Sequence, residues 1–454
     1  MAAKRETTLN HAEAVEVQAP RLVRELKRRI RGHTAKVGVI GLGYVGLSLA
    51  VEMANAGFQV TGIDFNKEKV NSINAGISDI PDVPSEMIAS FVAEKKLRAT
   101  QSLAAVGELD TINICVPTPL GKNKDPELSY VIAAVEVIRN HIRPGQLIIL
   151  ESTTYPGTTR EVVLPILNES GLKVGNDFFL AYSPERIDPG NQIYRTRSIP
   201  KVVGGITPRC ADVAQAFYRQ FIDQVLKVSS TDCAEMVKLL ENTFRSVNIA
   251  LANEMALTCH SFGINVWEVI EAAKSKPFGF MPFYPGPGLG GHHIPVGSYY
   301  LTWKARMKGC EPRLIELARQ INSQMPSFVI RCISDALNER HKCLNGAKIL
   351  ALGVAYKRNT TDVRESPALQ ILAGLDEKGA EIHYCDPYVP TISINEKSID
   401  SLELTPQLMQ SMDLIAILTD HSIFDYAMIA KFSPLIFDTR NAVKELGHTN
   451  VALL

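Results

Sequence analysis

Short apolar runs alternate with helix-like stretches through the first half of the chain. The runs predict strands at residues 36–40, 58–64, 110–116, 146–153, 178–185 and 201–205. Residues 47–56 have the apolar spacing of a helix. Because short buried strands alternate with helical stretches, this half is predicted to form a doubly wound α/β domain with a parallel sheet.

The pattern changes at about Thr231, where helical periodicity continues without strands. It predicts a long helix, a second helix at Val266–Lys274, and a glycine-rich loop over residues 285–300. A further helical stretch from Pro312 to Arg340 is predicted to break or kink near Pro326. Strand-like runs then return at 347–356, 380–388, 413–418 and 434–440.

The predicted fold class is therefore α/β, with two Rossmann-like doubly wound domains flanking a central all-helical region. We place the boundaries at 1–34 for a basic N-terminal extension, 35–228 for the first α/β domain, 229–325 for the helical region and 326–454 for the second α/β domain.

Composition excludes several classes of protein. Lys+Arg and Asp+Glu each number 48, so the formal net charge is zero, whereas a nucleic-acid-binding protein has a basic excess. The longest apolar runs, such as 147–150, are too short to span a membrane. The eight cysteines are scattered without a CxxC pair, which predicts neither a metal site nor a disulfide framework. With no secretory signal, we expect a reducing, cytoplasmic location.

The first 34 residues contain the basic stretch RLVRELKRRIRGH at 21–33. As a helix, it would align Leu22, Leu26 and Ile30 along one side. We expect a solvated extension that packs on a neighbouring subunit or frays. Binding to an acidic membrane surface is the alternative.

The strongest local motif is Gly41-Leu-Gly43-Tyr-Val-Gly46, which lies between a predicted strand and a predicted helix. Glycines in this order let a pyrophosphate approach the start of the helix. Asp64 ends the next strand, where an acid can accept hydrogen bonds from the ribose hydroxyls and repels a 2′-phosphate. The motif predicts NAD as the cofactor; a glycine turn in another βαβ unit is the alternative.

The chain resembles the nucleotide-sugar 6-dehydrogenases, the UDP-glucose/GDP-mannose dehydrogenase family. The matching segments, in order, are GLGYVGL (41–47), CVPTPL (115–120), ESTTYPGTT (151–159), AYSPERIDPGN (181–191), KLLENTFRSVNIALANE (238–254), KPFGFMPFYPGPGLGGH (276–292), GVAYKRNTTDVRESPA (353–368) and FDTRN (437–441). The motif sequences SPERIDPGN and PGPGLGGH most closely resemble those of the branch that acts on UDP-N-acetylhexosamines.

The resemblance implies an NAD-binding first domain, a helical centre that forms a homodimer or higher homo-oligomer, and a C-terminal domain that binds a UDP-sugar. It implies oxidation of sugar C6 in two hydride transfers, with a cysteine thiolate capturing the intermediate aldehyde. In the branch the loop typically reads GGHC-I-P-x-D-P. Here His293 stands at the cysteine position, Gly297 at the aspartate and Ser298 at the proline.

The resemblance also implies roles for single residues. Lys238 and Asn242, four apart on one helix face, would orient the reacting hydroxyl and a water and stabilise the developing oxyanion, and Glu185 would manage water in the hydrolysis step. His293 would supply a base or only fill the space. Cofactor-side residues would be Gly41, Gly43, Tyr44, Val45, Gly46, Asp64, Thr118, Thr153, Glu151 and Arg364. Substrate-side residues would be Arg186, Arg245, Phe283, Gly288, Gly290, Gly291, His292 and Lys357.

Several of these residues have structural alternatives. Lys238 and Glu185 would otherwise form a surface pair, and Thr118 and Thr153 would cap strand ends. Glu151 and Arg245 would be structural, and Arg364 would form a salt bridge with Asp362 or Glu365. The glycine-rich loop would be a simple connector.

Without the thiol, the leading hypothesis is an NAD-dependent oxidoreductase on a UDP-sugar that stops after one hydride transfer. The alternatives are a complete four-electron oxidation without cysteine, an epimerase that retains NAD, and an inactive protein that binds a nucleotide sugar.

Overall fold

The computed structural model describes residues 20–80, 82–121, 125–187, 194, 196–291, 294–443 and 449–454. His292 and His293 lie outside the described residues, as does the end of the 181–191 motif. The chain divides into two compact units. The first contains the described residues up to Leu240 together with Tyr299–Met307, and the second contains Glu241–Ser298 and Lys308–Leu454.

The first unit is built on an eight-stranded sheet. Its strands are β1 (Lys36–Ile40), β2 (Gln59–Ile63), β3 (Leu97–Thr100), β4 (Thr111–Ile114), β5 (Leu147–Leu150), β6 (Phe179–Tyr182), β7 (Lys201–Gly205) and β8 (Val225–Lys227). Its helices are α1 (residues 20–31), α2 (Tyr44–Asn55), α3 (Lys67–Asn74), α4 (Ser85–Ala93), α5 (Ser129–His141), α6 (Leu164–Asn168) and α7 (Pro208–Tyr218). Short 3₁₀ turns cover Leu103–Glu108 and Thr196–Ser198, and a π-helical turn covers Thr159–Val163.

The strand order is β3-β2-β1-β4-β5-β6-β7-β8. The order reverses beside β1, so the carboxyl ends of β1 and β4 form the crevice where doubly wound sheets bind ligands. Strands such as β5 are buried along their whole length, as expected for a sheet covered on both faces. The doubly wound prediction is confirmed, with one difference: β7 pairs antiparallel with β6.

The basic N-terminal stretch differs from its prediction. Residues 20–31 form α1, and Leu26 and Ile30 are buried in the core of the first unit. Arg29 donates to the buried Asp110 at 2.6 Å. Because its apolar side is covered by its own domain, this part of the chain is neither a frayed extension nor a free amphipathic helix. The expectation of a solvated extension was wrong for residues 20–31.

The second unit is built on a five-stranded parallel sheet of order β10-β9-β13-β14-β15 and a separate hairpin, β11–β12. The strands are β9 (Lys348–Leu352), β10 (Glu381–Cys385), β11 (Thr391–Ile394), β12 (Lys397–Asp400), β13 (Leu414–Ile417), β14 (Ile436–Asp438) and β15 (Val451–Leu453). The helices of this unit are α9 (Val266–Lys274), α11 (Arg313–Glu339), α12 (Pro367–Glu377), α13 (Pro406–Gln410) and α14 (Tyr426–Phe432). Two helices, α8 (Thr231–Phe262) and α10 (Ile294–Met307), contain the residues at which the division falls.

Two predictions for the helices need correction. The predicted break at Pro326 does not occur, since α11 continues through this buried residue, and the predicted kink stays a prediction. Residues Ile294–Met307 are helical, although part of this range was predicted as loop. In the described part of the chain, no helix is both long and apolar enough to cross a bilayer.

Candidate active site

The first glycine turn connects β1 to α2. Gly41 has φ +90°, and a Cβ on it would lie 2.7 Å from the carbonyl oxygen of Cys115. A Cβ on Gly46 would lie 1.8 Å from the carbonyl oxygen of Gly41. A Cβ on Gly43, in contrast, would meet no described heavy atom within 4 Å. Gly41 and Gly46 are therefore needed by the fold itself, whereas Gly43 keeps the backbone open at the start of α2.

The surroundings of this turn fit a dinucleotide. The helix α2 begins at Tyr44 without a side-chain cap, which leaves its first N–H groups suited to a phosphate. Asp64, just after β2, accepts hydrogen bonds from Leu42 N at 2.8 Å and Asn66 N at 2.9 Å. A carboxylate has about four acceptor positions, so two remain for ribose hydroxyls. The Tyr44 hydroxyl is buried and has no hydrogen-bond partner among the described residues.

Thr118 and Thr153 join two strand ends. The hydroxyl of Thr118 donates to the carbonyl oxygen of Thr153 at 2.7 Å, and Thr153 is buried. The carbonyl oxygen of Thr118 accepts from the Tyr300 hydroxyl at 2.8 Å. These contacts match the structural alternative, a cap between the segments that follow β4 and β5.

A buried charged cluster lies behind the same sheet edge. The Lys201 ammonium lies 2.5 Å from Glu151 Oε2 and 2.9 Å from Glu185 Oε2. The other oxygen of Glu151 accepts from the Tyr218 hydroxyl at 2.6 Å and from Asn113 Nδ2 at 2.5 Å. The Glu151 carboxylate, predicted on the cofactor side, is therefore held within the protein by three side chains. Lys201, Tyr218 and Asn113 were not predicted as site residues. Lys201 was missed because a lysine at the start of a strand is usually solvent-exposed.

Glu185 is buried and connects this cluster to Lys238. Its Oε1 accepts from the backbone N–H groups of Arg186 at 2.6 Å and Ile187 at 2.7 Å. Its carbonyl oxygen accepts from Lys238 Nζ at 2.5 Å. Burial would raise the pKa of Glu185, but the charge and hydrogen bond of Lys201, together with the two N–H donors, hold it below its ordinary value. Glu185 and Lys238 are thus in direct contact, through a backbone oxygen rather than as a surface ion pair.

Cys115 lies beside this cluster. Burial raises the pKa of its thiol well above the ordinary value, and the negative charge of Glu151 adds to the shift. A thiol in this condition is a poor nucleophile at neutral pH, since the reactive form is the thiolate.

Asn242 and Gly297 contact each other in the second unit. Asn242 is buried, and a Cβ on Gly297 would lie 3.0 Å from Asn242 Nδ2. Position 297 therefore suits glycine in this chain, because any larger residue would press on the Asn242 amide.

The second glycine-rich segment packs tightly against its own unit. A Cβ on Gly286 would lie 2.7 Å from Arg440 Nη1, and one on Gly290 would lie 2.7 Å from Tyr356 Cβ. A Cβ on Gly288 would lie 3.1 Å from Pro367, and one on Gly291 would lie 2.9 Å from the Tyr356 ring. The buried Asn253 fixes the segment by accepting from Gly286 N at 3.0 Å.

The remaining predicted residues of the second unit differ in exposure and in their partners. Arg364 forms a two-point ion pair with Asp362, with Nε 2.9 Å and Nη2 2.7 Å from the carboxylate oxygens, as in the structural alternative. Arg245 is exposed on α8. Phe283 packs edge-on against Phe244, with ring centroids 5.7 Å apart.

Lys357 lies in the segment after β9.

His421, which was not predicted as a site residue, connects the loops at the carboxyl ends of the strands of the second sheet. Its Nε2 lies 3.0 Å from Asp386 Oδ2 and its Nδ1 accepts from Asn359 N at 2.9 Å.

This combination of features defines a dehydrogenase with an N-terminal dinucleotide-binding domain. Three family models agree: the NAD binding domain of the UDP-glucose/GDP-mannose dehydrogenase family matches residues 35–222, the central domain 232–324 and the UDP binding domain 350–445. The chain belongs to this family, and it is an NAD-dependent oxidoreductase that acts on a CH–OH group of a UDP-sugar.

Known relatives are similar over most of the chain. UDP-N-acetyl-D-mannosamine dehydrogenase from Pyrococcus horikoshii is 36% identical over 417 residues, which are 90% of this chain and 96% of the relative. UDP-N-acetyl-D-glucosamine 6-dehydrogenase from Pseudomonas aeruginosa is 38% identical over 356 residues, 78% of this chain and 83% of the relative. The solved structure of the Pyrococcus horikoshii UDP-D-ManNAc dehydrogenase aligns with a TM-score of 0.83 at 34% identity, covering 92% of this chain and 98% of that one.

Proposed function

We propose that this protein oxidises one hydroxyl of a UDP-N-acetylhexosamine with NAD and stops after a single hydride transfer. The observation that carries the proposal is the part-buried contact of Lys238 Nζ with the carbonyl oxygen of Glu185 at 2.5 Å, which keeps the lysine assigned to the reacting hydroxyl beside the acid assigned to water. The second half-reaction lacks its nucleophile, because His293 stands where the family has cysteine. The sugar is inferred from the relatives, which act on UDP-N-acetylmannosamine and UDP-N-acetylglucosamine.

In this proposal four residues carry the chemistry. Lys238 and Asn242 orient the reacting hydroxyl and stabilise the charge that develops on its oxygen. His293 takes the hydroxyl proton, and Glu185 holds a water molecule near the reaction centre. Cys115 does not replace the missing thiol, because its pKa is raised by burial.

The cofactor is held by the first glycine turn. NAD supplies the hydride acceptor when bound. We assign the pyrophosphate to the open backbone at Gly43 and the start of α2, and the ribose to Asp64. Tyr44 has a buried hydroxyl with no described partner, and it suits a further contact with the dinucleotide. Glu151 and Thr118 support this site from within the fold.

For the substrate, we assign Arg186, Arg245, Phe283, His292 and Lys357 as contacts. Gly288, Gly290 and Gly291 stay predicted substrate-side residues, and their close packing supports a further role, which is to let the loop approach residues 356–367. We also retain 35–228, 229–325 and 326–454 as the NAD-binding, central and UDP-sugar-binding domains.

A homodimer through the central region is part of the proposal. Phe244, Leu251, Met255 and Phe262 are exposed on α8, and their spacing of seven, four and seven residues places them on one helix face. An apolar face of this kind on a monomer marks an interaction surface.

The test is the amount of NADH formed for each sugar consumed, with UDP-N-acetylglucosamine, UDP-N-acetylmannosamine and UDP-glucose as substrates and the product identified by mass. One NADH with an aldehyde or keto sugar supports the proposal. Two NADH with a uronic acid would show that the thiol is dispensable. An isomer formed at unchanged mass, without net NADH, would indicate an epimerase, and binding without conversion would indicate an inactive protein.

Two variants sharpen this test. We expect His293→Cys to increase the yield of uronic acid, because a thiol can capture the aldehyde. We expect Lys238→Met to lower turnover by roughly a hundredfold or more while NAD binding is kept.

A further inference from the structure

The Lys201 ammonium lies between two buried carboxylates. Its Nζ is 2.5 Å from Glu151 and 2.9 Å from Glu185, and 5.2 Å from the centroid of the Tyr218 ring. Its side chain is only 5% exposed. Such a cation is ordered by its partners on several sides, so it fixes their positions as well as their charge.

The two carboxylates that share this cation have different surroundings. Glu151 belongs to the interior, where Tyr218 and Asn113 donate to its second oxygen. Glu185 receives two backbone N–H groups at its second oxygen. Lys201 is therefore the link between a structural carboxylate and the carboxylate to which we assign a role in catalysis.

We propose that Lys201 is a positioning residue that keeps the Glu185 carboxylate ionised and correctly oriented for its work on water. The inference rests on the proposed function of Glu185. It concerns a residue that does not itself touch the substrate.

The electrostatics support this role. Among the described residues, the titratable groups that act on Glu185 include Lys201, Glu151 and Cys115, while Tyr218 acts on Glu151 and Lys238 donates to the Glu185 backbone oxygen. Burial and the nearby negative charge of Glu185 would each raise the pKa of Glu151, and burial acts on Glu185 in the same way. Without the ammonium, two buried carboxylates would face each other, and one of them would take up a proton at neutral pH.

The test compares Lys201→Met and Lys201→Arg with a matched control, Lys227→Met. Lys227 lies on the adjacent strand β8 and pairs with Asp212 at 2.6 Å, but this pair is exposed. We expect Lys201→Met to lower kcat roughly tenfold or more at pH 7, with little change in KM, and to move the acidic limb of the pH profile to higher pH. Lys201→Arg should restore part of kcat and move the limb back, and Lys227→Met should match the wild type. If the acidic limb of the kcat pH profile of Lys201→Met lies at the same pH as in the wild type, the inference is overturned.

A second measurement does not depend on turnover. Glu185→Gln is introduced into three backgrounds, which are the wild type, Lys201→Arg and Lys201→Met. For each background, the change that Glu185→Gln causes in the urea midpoint is measured from pH 5 to pH 8. At neutral pH we expect Glu185→Gln to destabilise the wild-type and Lys201→Arg proteins, because it breaks a buried ion pair. We expect it to stabilise the Lys201→Met protein, because there it removes an unpaired buried charge. An equal effect in all backgrounds would show that Lys201 does not act on Glu185. A wild type with no turnover but with this coupling would contradict the proposed function, and the pairing would stand.

Discussion

The two glycine-rich segments of this protein share tightly packed glycines, such as Gly46 and Gly290, but the first also has a glycine at an open position, Gly43. In the turn after β1, a side chain on Gly43 would meet no described atom within 4 Å, and this is the glycine at which we propose that the pyrophosphate approaches. In the segment from Gly286 to Gly291, every glycine touches its own protein, from Arg440 to Tyr356 and Pro367. The first segment has open space at Gly43, and the second is a tight internal joint of the second unit.

A third segment, at residues 157–159, shows backbone donors that the protein fills itself. The backbone N–H groups of Gly157 and Thr159 donate to the Glu235 carboxylate at 2.6 and 2.8 Å, and the Thr159 hydroxyl donates at 2.7 Å. Here a carboxyl group of the protein itself occupies a set of backbone donors. At Gly43, in contrast, no side chain caps the start of α2, and a Cβ would meet no described atom within 4 Å. A glycine motif therefore indicates a ligand only when its surroundings are not already filled.

The largest effect is expected at a glycine that the fold itself requires. Gly46→Ala would place a Cβ 1.8 Å from the Gly41 carbonyl oxygen, and backbone cannot move aside cheaply. We expect a loss of more than about 3 kcal/mol of unfolding free energy, or no folded protein. Urea unfolding checks this, and a wild-type midpoint for Gly46→Ala would contradict it.

The next effect concerns the Glu235 carboxyl group, which occupies the backbone donors at residues 157–159. Burial raises the pKa of Glu235 from 4.5 to about 7, against the opposing effect of its three hydrogen-bond donors. The folded state then holds a proton over this range that the unfolded state has lost, so stability falls as pH rises through it. We expect Glu235→Gln to lack this decline, a difference on the order of 3 kcal/mol between pH 4.5 and pH 7. Parallel pH dependence of the unfolding free energy in the two proteins would contradict the interpretation.

A smaller effect is expected in the internal joint. Gly290→Ala would place a Cβ 2.7 Å from Tyr356 Cβ and 2.9 Å from the Glu365 carbonyl oxygen. We expect a loss of about 1–3 kcal/mol. Gly107→Ala is the control, because its Cβ would meet its nearest atom at an ordinary 3.5 Å. Equal midpoints for the two variants would show that the joint tolerates a side chain.

The smallest effect on stability is expected at the open glycine. Gly43→Ala should change the unfolding free energy by less than about 1 kcal/mol, because its Cβ meets open space. It should weaken NAD binding by roughly tenfold, since the methyl group would stand where the pyrophosphate approaches. Calorimetric titration with NAD measures this. Unchanged affinity would remove Gly43 from the proposed cofactor site.

The elements with strong periodicity could be predicted from the sequence. The strand–turn–helix around Gly41 is confirmed, and α9 begins and ends at the predicted Val266 and Lys274. The strands β3 and β12 were missed because LRAT and KSID are short and have little apolar pattern. The helix α10 was missed because Pro295 and Gly297 lie in its first turn, where the usual signals of a loop are tolerated.

The site was less predictable than the fold. Glu151 and Glu185 could be identified as acids near strand ends, but not the lysine between them, because Lys201 follows a proline and begins an ordinary apolar strand. The direction of β7 is also invisible in sequence, since KVVGG reads the same in a parallel and in an antiparallel pair. Long-range pairing of this kind depends on residues that are far apart in the chain.

The docking of α1 has a consequence for how the chain folds during synthesis. This helix is synthesised before the strands of the first sheet, and the carboxylate that receives Arg29 follows 81 residues later. The apolar side with Leu26 and Ile30 must therefore wait, uncovered, until the strands around β4 have been made. The helix α1 therefore docks only after later strands have been made, so completion of the first sheet is coupled to the capture of this helix.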